Sequence, residues 1–369
     1  MTEFTEYHGD DWLLFSSRCT KGGTMDHRSC DQRMLLKNPF RNRFQSRFKM
    51  KSEEPFNATE FLFEGFTGDL MLQYIFLLIF LFIYIVIVCG NSVIFVLIWQ
   101  NPNLQSPMYF FLLNLSVIDI ASTSNILPKL LMMVFIKNNT ISFEECMCQL
   151  YLFIMFVCTE VFLLAAMAYD RYVAICYPLH YMIIMSLQQT VGLSITAWSV
   201  GLLSPIGHVT LISKMSFCAS HVIHHFYCNI SPLLSISCSE IYSVEVLTYA
   251  VGTLVGICTL LFTLLSYVFI ISKILRIKST DGRGKAFSTC SSHLTCVIMF
   301  YGTMMCLHMR PTSTYSVKLD KCFSLVYAAL VPLLNPFIYS FKNEEVKKGL
   351  KKLKSQIIKN TYCHYKIFH

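Results

Sequence analysis

Charge is scarce in this chain. Only 14% of its 369 residues are Asp, Glu, Lys or Arg, against about 25% in a soluble domain. The deficit argues against an ordinary soluble globule, because lipid, unlike water, gives a charged side chain nothing to solvate it. No stripe of basic residues interleaved with aromatics occurs, so the formal charge of +8 does not point to nucleic acid. The basic residues gather instead at the two ends and in one loop. HExxH and GxSxG constellations are absent, which leaves no case for an enzyme. Internal repeats of the kind that build transporters are absent too. The 16 cysteines are not the framework of a short secreted scaffold. Cys89, Cys158, Cys258 and Cys296 fall in apolar runs and read as small polarizable packing residues.

What the chain has in plenty is hydrophobic residues, 54% of the total. Spanning about 30 Å of hydrocarbon takes roughly 20 helical residues. Seven apolar stretches reach that length: 72–99, 108–134, 148–176, 190–213, 244–275, 287–309 and 320–341. The expected fold is an all-α membrane protein, a seven-transmembrane helix bundle over 72–341 with a short amphipathic cytoplasmic helix. Orientation follows from Lys and Arg, which accumulate in cytoplasmic loops. The loop after the fifth span carries Lys273, Arg276, Lys278, Arg283 and Lys285, and the tail over 342–369 is lysine-rich. An odd number of spans then places the N-terminus outside, with residues 50–71 as the extracellular segment before the bundle. Residues 1–49 fit poorly: they are polar, with Arg41, Arg43, Arg47 and Lys49 in a tight run, and no apolar core of signal-peptide length. They read as an upstream extension, disordered if made, with Met50 as a natural start. In the tail, Asn343 to Lys354 opens acidic and ends basic, with Val346, Leu350 and Leu353 at helical spacing. That is the pattern of a helix lying on the inner membrane surface, its lysines toward anionic lipid.

Ionisable residues within a span are costly and usually functional. Asp119, Glu160 and the Asp170–Arg171 pair stand out. Glu160 and Arg171 lie close to three whole turns apart on the third span, so they share a face that must look into the bundle. Asn91 and Asn335 are polar partners for the acids, and a network joining Asn91, Asp119, Glu160 and Asn335 would satisfy all four. Two carboxylates with carbonyl-type oxygens also suit a hard cation, which makes Asp119 and Glu160 a candidate sodium site; a shared proton or buried water is the alternative. No other cofactor is expected.

Five motifs follow in order: PMYFFLLNLSVID (107–119), MAYDRYVAICYPLHY (167–181), SY (266–267), KAFSTCSSHL (285–294) and PLLNPFIYSFKN (332–343). Together they closely resemble the olfactory receptors, a branch of the rhodopsin-like G-protein-coupled receptors, over about Met50 to Lys354. The departures are small: Lys342 stands where Arg is more usual, and Leu113 replaces a small polar residue. The resemblance implies a disulfide between Cys146 and Cys228 and a second between Cys218 and Cys238, although four cysteines allow three pairings and spacing does not choose among them. His221, His224 and His225, nearby, read as hydrogen-bonding groups rather than a zinc or copper site. Of four glycosylation sequons, at Asn57, Asn114, Asn138 and Asn229, Asn57 is the expected site; Asn114 lies within a span and Asn229 abuts a cysteine.

The resemblance further implies a small volatile ligand bound in the outer half of the bundle between the third, fifth and sixth spans. Laying the motifs on helical faces selects Phe153, Ile154, Val157 and Cys158 on the third span, with Val251 and Val255 on the fifth. On the sixth, Tyr301 and His308 are two turns apart with Met304 and Met305 between them. Tyr301 and His308 would supply the orienting hydrogen bonds of a mostly apolar site. Asp170 and Arg171 would pair in the inactive state. On activation Arg171 would swing toward Tyr267 and Tyr339, with Tyr172, Asn335 and Pro336 completing the switch. The partner implied is the stimulatory olfactory heterotrimeric G protein, with a rise in cyclic AMP. The location implied is the plasma membrane, in the cilia of olfactory sensory neurons. A chemosensory receptor for a non-odorant molecule, expressed elsewhere, is the nearer alternative. A transporter lined by Asp119 and Glu160 would leave the loop cysteines and the Asp-Arg-Tyr segment unexplained.

Overall fold

Residues 59–64, 70–218, 220–308, 317–342 and 346–351 are described by the structure, a computed structural model. Among them, seven helices are long and apolar enough to cross a membrane. These are α1 (Leu70–Gln100), α2 (Pro107–Phe135), α3 (Phe143–Cys176), α4 (Leu187–Ile212), α5 (Tyr242–Leu275), α6 (Thr280–His308) and α7. The last runs as Val317–Leu325 and Val331–Lys342, joined by a π-helical turn at Val326–Leu330. Each apolar stretch of the sequence centres on one of these helices. The third starts earlier than its hydropathy suggests, because its first turn is polar. Ser142 Oγ accepts from the Glu145 backbone N–H at 3.2 Å while the Glu145 carboxylate accepts from the Ser142 N–H at 3.1 Å. This capping box satisfies donors that an apolar end would leave orphaned.

Burial ranks the helices. α3 is the central one, with Leu150, Leu163, Met167 and Ala168 fully enclosed. On α1 and α5, Leu78, Phe82, Leu254 and Val268 lie exposed. In water such faces would aggregate; against lipid tails they cost nothing, and packing rather than hydrophobicity must hold the helices together. Gly201 on α4 shows how. A β-carbon there would stand 1.9 Å from Thr159 Oγ1 and 2.9 Å from the Met155 carbonyl oxygen, so only glycine admits this approach of α3 to α4. One turn earlier on α4, Trp198 Nε1 donates to Asn114 Oδ1 of α2 at 3.0 Å, which gives Asn114 a structural role inside the bundle.

α7 leans on α1. Asn91 Nδ2 donates to the backbone carbonyls of Pro332 at 3.2 Å and Ile87 at 3.1 Å, and Gly90 faces the Pro336 ring. Of the expected tail helix 343–354, the described part, 346–351, is helical. Val346 and Gly349 are buried, Gly349 against Leu97 and Asn101 at the end of α1, while Lys347, Lys348 and Lys351 are exposed. That division of faces is what a helix lying on a membrane surface requires.

Glu60–Phe63 (β1), Thr140–Ser142 (β2) and Val222–Ile223 (β3) form a small sheet in the order β2-β1-β3. β1 runs antiparallel to β2, with Phe61 opposite Ile141, and parallel to β3, with Leu62 opposite Val222. Two disulfides reinforce the same end: Cys146–Cys228 joins the start of α3 to the long loop before α5, and Cys218–Cys238 closes a ring within that loop.

Candidate functional site

Beneath the sheet and the disulfides lies a cavity of about 140 Å³. α3 contributes Phe153, Ile154, Val157 and Cys158 to its wall, α5 contributes Val251 and Val255, and α6 contributes Tyr301, Met304 and Met305. The structure therefore brings nine of the ten sequence-selected residues to one wall; the side chain of His308 lies outside the described residues. The other residues of the wall were not selected, among them His208 on α4, Thr248 on α5 and Phe300 on α6. A histidine inside an apolar run is itself a signal, but only the direction in which α4 faces decides that it matters here. The fifth helix is specially shaped at this place. Its turns at Gly252–Ile257 are π-helical, and a β-carbon on Gly252 or Gly256 would meet nothing within 4 Å, so the wall is hollowed by missing side chains.

The few polar groups on the wall are largely engaged. Tyr301 donates to Thr259 Oγ1 at 2.9 Å; the Thr259 hydroxyl is itself spent on the carbonyls of Val255 and Gly256. Thr248 donates to the Val244 carbonyl at 2.8 Å. His208 is only 2% exposed, with Nδ1 3.4 Å from the Ser204 carbonyl and Nε2 without a partner.

The long loop covers this site as a hydrogen-bonded lid. Its Cys228 N–H donates to Gln149 Oε1 of α3 at 2.9 Å, Tyr227 donates to Ser324 of α7 at 3.2 Å, and the Tyr227 ring packs on Phe153. Asn229 is buried, caps the short helix Ile230–Ile236 and donates to Tyr227, so this sequon is closed to a glycan; Asn57 lies outside the described residues. Beside it, His225 is fully buried, and its pKa is pushed down to about 3 by burial first and by Lys321 second. Asp320 Oδ2 stands 3.6 Å from its Nε2, beyond hydrogen-bond reach. His224 pairs with Glu64. Among the described residues no three His, Cys, Asp or Glu side chains gather as a metal site.

Deeper in the bundle, Asn335 Nδ2 donates to both Asp119 oxygens, at 3.2 and 3.0 Å, and Tyr327 donates to Glu160 at 3.4 Å. Asn91 does not join these acids, as the sequence suggested it would. Its amide is spent on backbone carbonyls of α1 and α7, where the proline at 336 leaves a carbonyl of the preceding turn without its helical donor.

At the far end, Arg171 Nε donates to Asp170 Oδ2 at 2.9 Å, and Tyr181 donates to Asp170 Oδ1 at 2.7 Å. Burial, and then the Asp170 carboxylate, hold the Tyr181 phenol well above its ordinary pKa. Tyr267 stands 2.7 Å from His293 Nδ1, and among the described residues no hydrogen bond joins it to Arg171. Tyr172 packs among Tyr169, Tyr177 and Phe269. The side chain of Tyr339 is outside the described residues.

A sequence model described as olfactory receptor matches residues 80–357. Olfactory receptor 5AR1 of Mus musculus is 46% identical over 304 residues, covering 82% of this chain and 98% of that protein. Its Homo sapiens namesake is 44% identical over the same length and coverage. Among solved structures, squid rhodopsin superposes with a TM-score of 0.63 at 15% identity, over 80% of this chain and 89% of its own, which speaks for the fold.

Proposed function

The chain belongs to the olfactory receptor family, and from that premise we propose that it binds a small volatile molecule in the cavity between α3, α5 and α6 and activates a stimulatory olfactory-type G protein, raising cyclic AMP. The observation that carries this reading is the cavity itself. It is lined by apolar and thioether side chains with a few polar groups, the composition expected of a small-molecule site. Its 140 Å³ is close to the roughly 150 Å³ of an apolar cavity that admits benzene. A neutral ligand fits better than a charged amine, because no described carboxylate lines the wall.

Binding activates only if the ligand prefers one of two bundle arrangements. The Asp170–Arg171 pair marks the resting one, and release of Arg171 toward Tyr267 is the proposed switch. The disulfide end faces outward with the N-terminus, in ciliary membrane, and the Arg171 end meets the G protein. The Asp119 and Glu160 region suits a sodium ion, because both carboxylates are buried and no described basic side chain is paired with them. Asp119, Glu160 and the Asn335 amide would hold it, and the ion would supply only charge compensation.

The test is cyclic AMP in cells co-expressing the stimulatory olfactory G protein, screened with mixed volatiles. Arg171→Ala, at matched surface expression, is expected to abolish the response. A full response from that variant would refute the coupling scheme, and silence of the displayed wild type would refute the odorant reading.

A further inference from the structure

The cavity wall offers lone pairs and almost no protons. The Tyr301 hydroxyl must donate to Thr259, because the Thr259 proton is already committed to backbone carbonyls; Tyr301 has no proton left for a ligand. Thr248 is in the same position, its proton directed at the Val244 carbonyl. His208 is the third case. An imidazolium there would be a buried charge with no carboxylate on the wall to balance it, so one ring nitrogen carries a hydrogen and the other a lone pair. Nδ1 faces the Ser204 carbonyl oxygen at 3.4 Å. A carbonyl can only accept, so the hydrogen belongs on Nδ1; the other tautomer would set two lone pairs against each other. Nε2 is then an acceptor without a partner, closed to a water-sized probe but on a residue that lines the cavity, so a ligand reaches it through a small shift of the ring. An unmet acceptor in an apolar cavity costs about 1–3 kcal/mol, and a ligand that meets it recovers part of that cost.

We infer that the cavity selects ligands carrying a hydroxyl donor, an alcohol or phenol on a small apolar skeleton, and that His208 Nε2 receives that hydrogen. The inference rests on the cavity being the ligand site, as proposed above. Aldehydes, ketones and esters of the same skeleton bring only another acceptor and bind more weakly. The remaining polar lining group, the Cys158 thiol, is too weak a donor to reverse the preference.

The probes are benzyl alcohol, benzaldehyde and toluene, nearly equal in size and suited to a cavity that accepts one ring. Their affinities for the purified full chain in lipid nanodiscs are read from ligand-dependent shifts of the thermal midpoint. Benzyl alcohol is expected to bind about tenfold more tightly than either partner, as one hydrogen bond allows. His208→Phe should bring the three affinities together while leaving toluene bound. His208→Gln, whose amide oxygen still accepts, should keep most of the preference. The readout is a ratio between ligands on one protein, so a general loss of stability in a variant cancels. Equal binding of alcohol and aldehyde by the wild type would overturn the inference. So would an alcohol preference that survives His208→Phe, or binding by none of the three. Cyclic AMP measured in parallel separates the two proposals. Alcohol-selective binding without a signal would sink the coupling scheme and leave the donor site standing; a signal evoked equally by benzaldehyde would do the reverse.

Discussion

Replacing Gly201 with alanine sets helix propensity against packing. In a free helix the change is favourable by about 1 kcal/mol, because glycine gives up more backbone freedom. Here the new methyl would lie 1.9 Å from Thr159 Oγ1 and 2.9 Å from the Met155 carbonyl oxygen. Thr159 can rotate away only by abandoning its 2.8 Å bond to that same carbonyl, and the carbonyl belongs to helix backbone and cannot rotate. α3 and α4 must therefore separate, at the upper end of the roughly 1–3 kcal/mol usual for overpacking. The expected net effect of Gly201→Ala is a loss of about 2 kcal/mol. Gly192→Ala is the matched control, since on the same helix nothing stands within 4 Å of its β-position. It should be neutral or stabilising. Thr159→Ala in the Gly201→Ala background removes the worse of the two contacts and should recover about 1 kcal/mol relative to additivity. The assay is the apparent thermal midpoint in nanodiscs at one scan rate, since unfolding of such proteins is commonly irreversible. A Gly201→Ala midpoint as high as that of Gly192→Ala would refute the close approach of the two helices.

Three other expectations follow from the lid and the bundle. His225 has its folded-state pKa pushed down to about 3, below the roughly 6.5 of an unfolded histidine, so the unfolded chain holds the extra proton between those values. Its contribution is complete above about pH 6.5 and is lost as pH falls toward 3. The wild-type midpoint should therefore drop more steeply from pH 7 to 4 than that of His225→Gln, and parallel curves would show that His225 does not set the acid response. Trp198→Phe removes the donor to Asn114 and should cost about 0.6 kcal/mol, the usual worth of such a bond between membrane helices; no change in midpoint would deny the bond. Separations of 82 and 20 residues across the disulfides give loop-entropy contributions of about 4.5 and 3 kcal/mol. Cys228→Ser should accordingly lower the midpoint more than Cys238→Ser, and the reverse order would argue against that account.

How far each part of this protein was legible depends on whether its cause is local. The seven helices are written in the sequence because each must be apolar over the thickness of a bilayer, a demand on a continuous run that no neighbour can waive. The faces of α3 and α6 follow from helical periodicity once Arg171 and the motif residues set the phase, which is why Phe153, Val157, Tyr301 and Met304 could be placed together on one wall. The rest has causes distributed along the chain. The sheet joins three segments of two to four residues, 60–63, 140–142 and 222–223, each too short to signal a strand alone. Asn91 was assigned to the acids on polarity alone, whereas the packing of α7 against α1 gives it backbone carbonyls within reach. His208 sat in plain view inside an apolar run. Its importance is set by the rotation of α4, fixed at Gly201 and Trp198, and by the backbone carbonyl that claims its Nδ1 hydrogen. Composition and periodicity determine which segments enter the membrane and which faces turn inward. Which lone pair is left bare inside the cavity is decided only when the helices pack, because a hydrogen bond is a contact between particular atoms at about 3 Å.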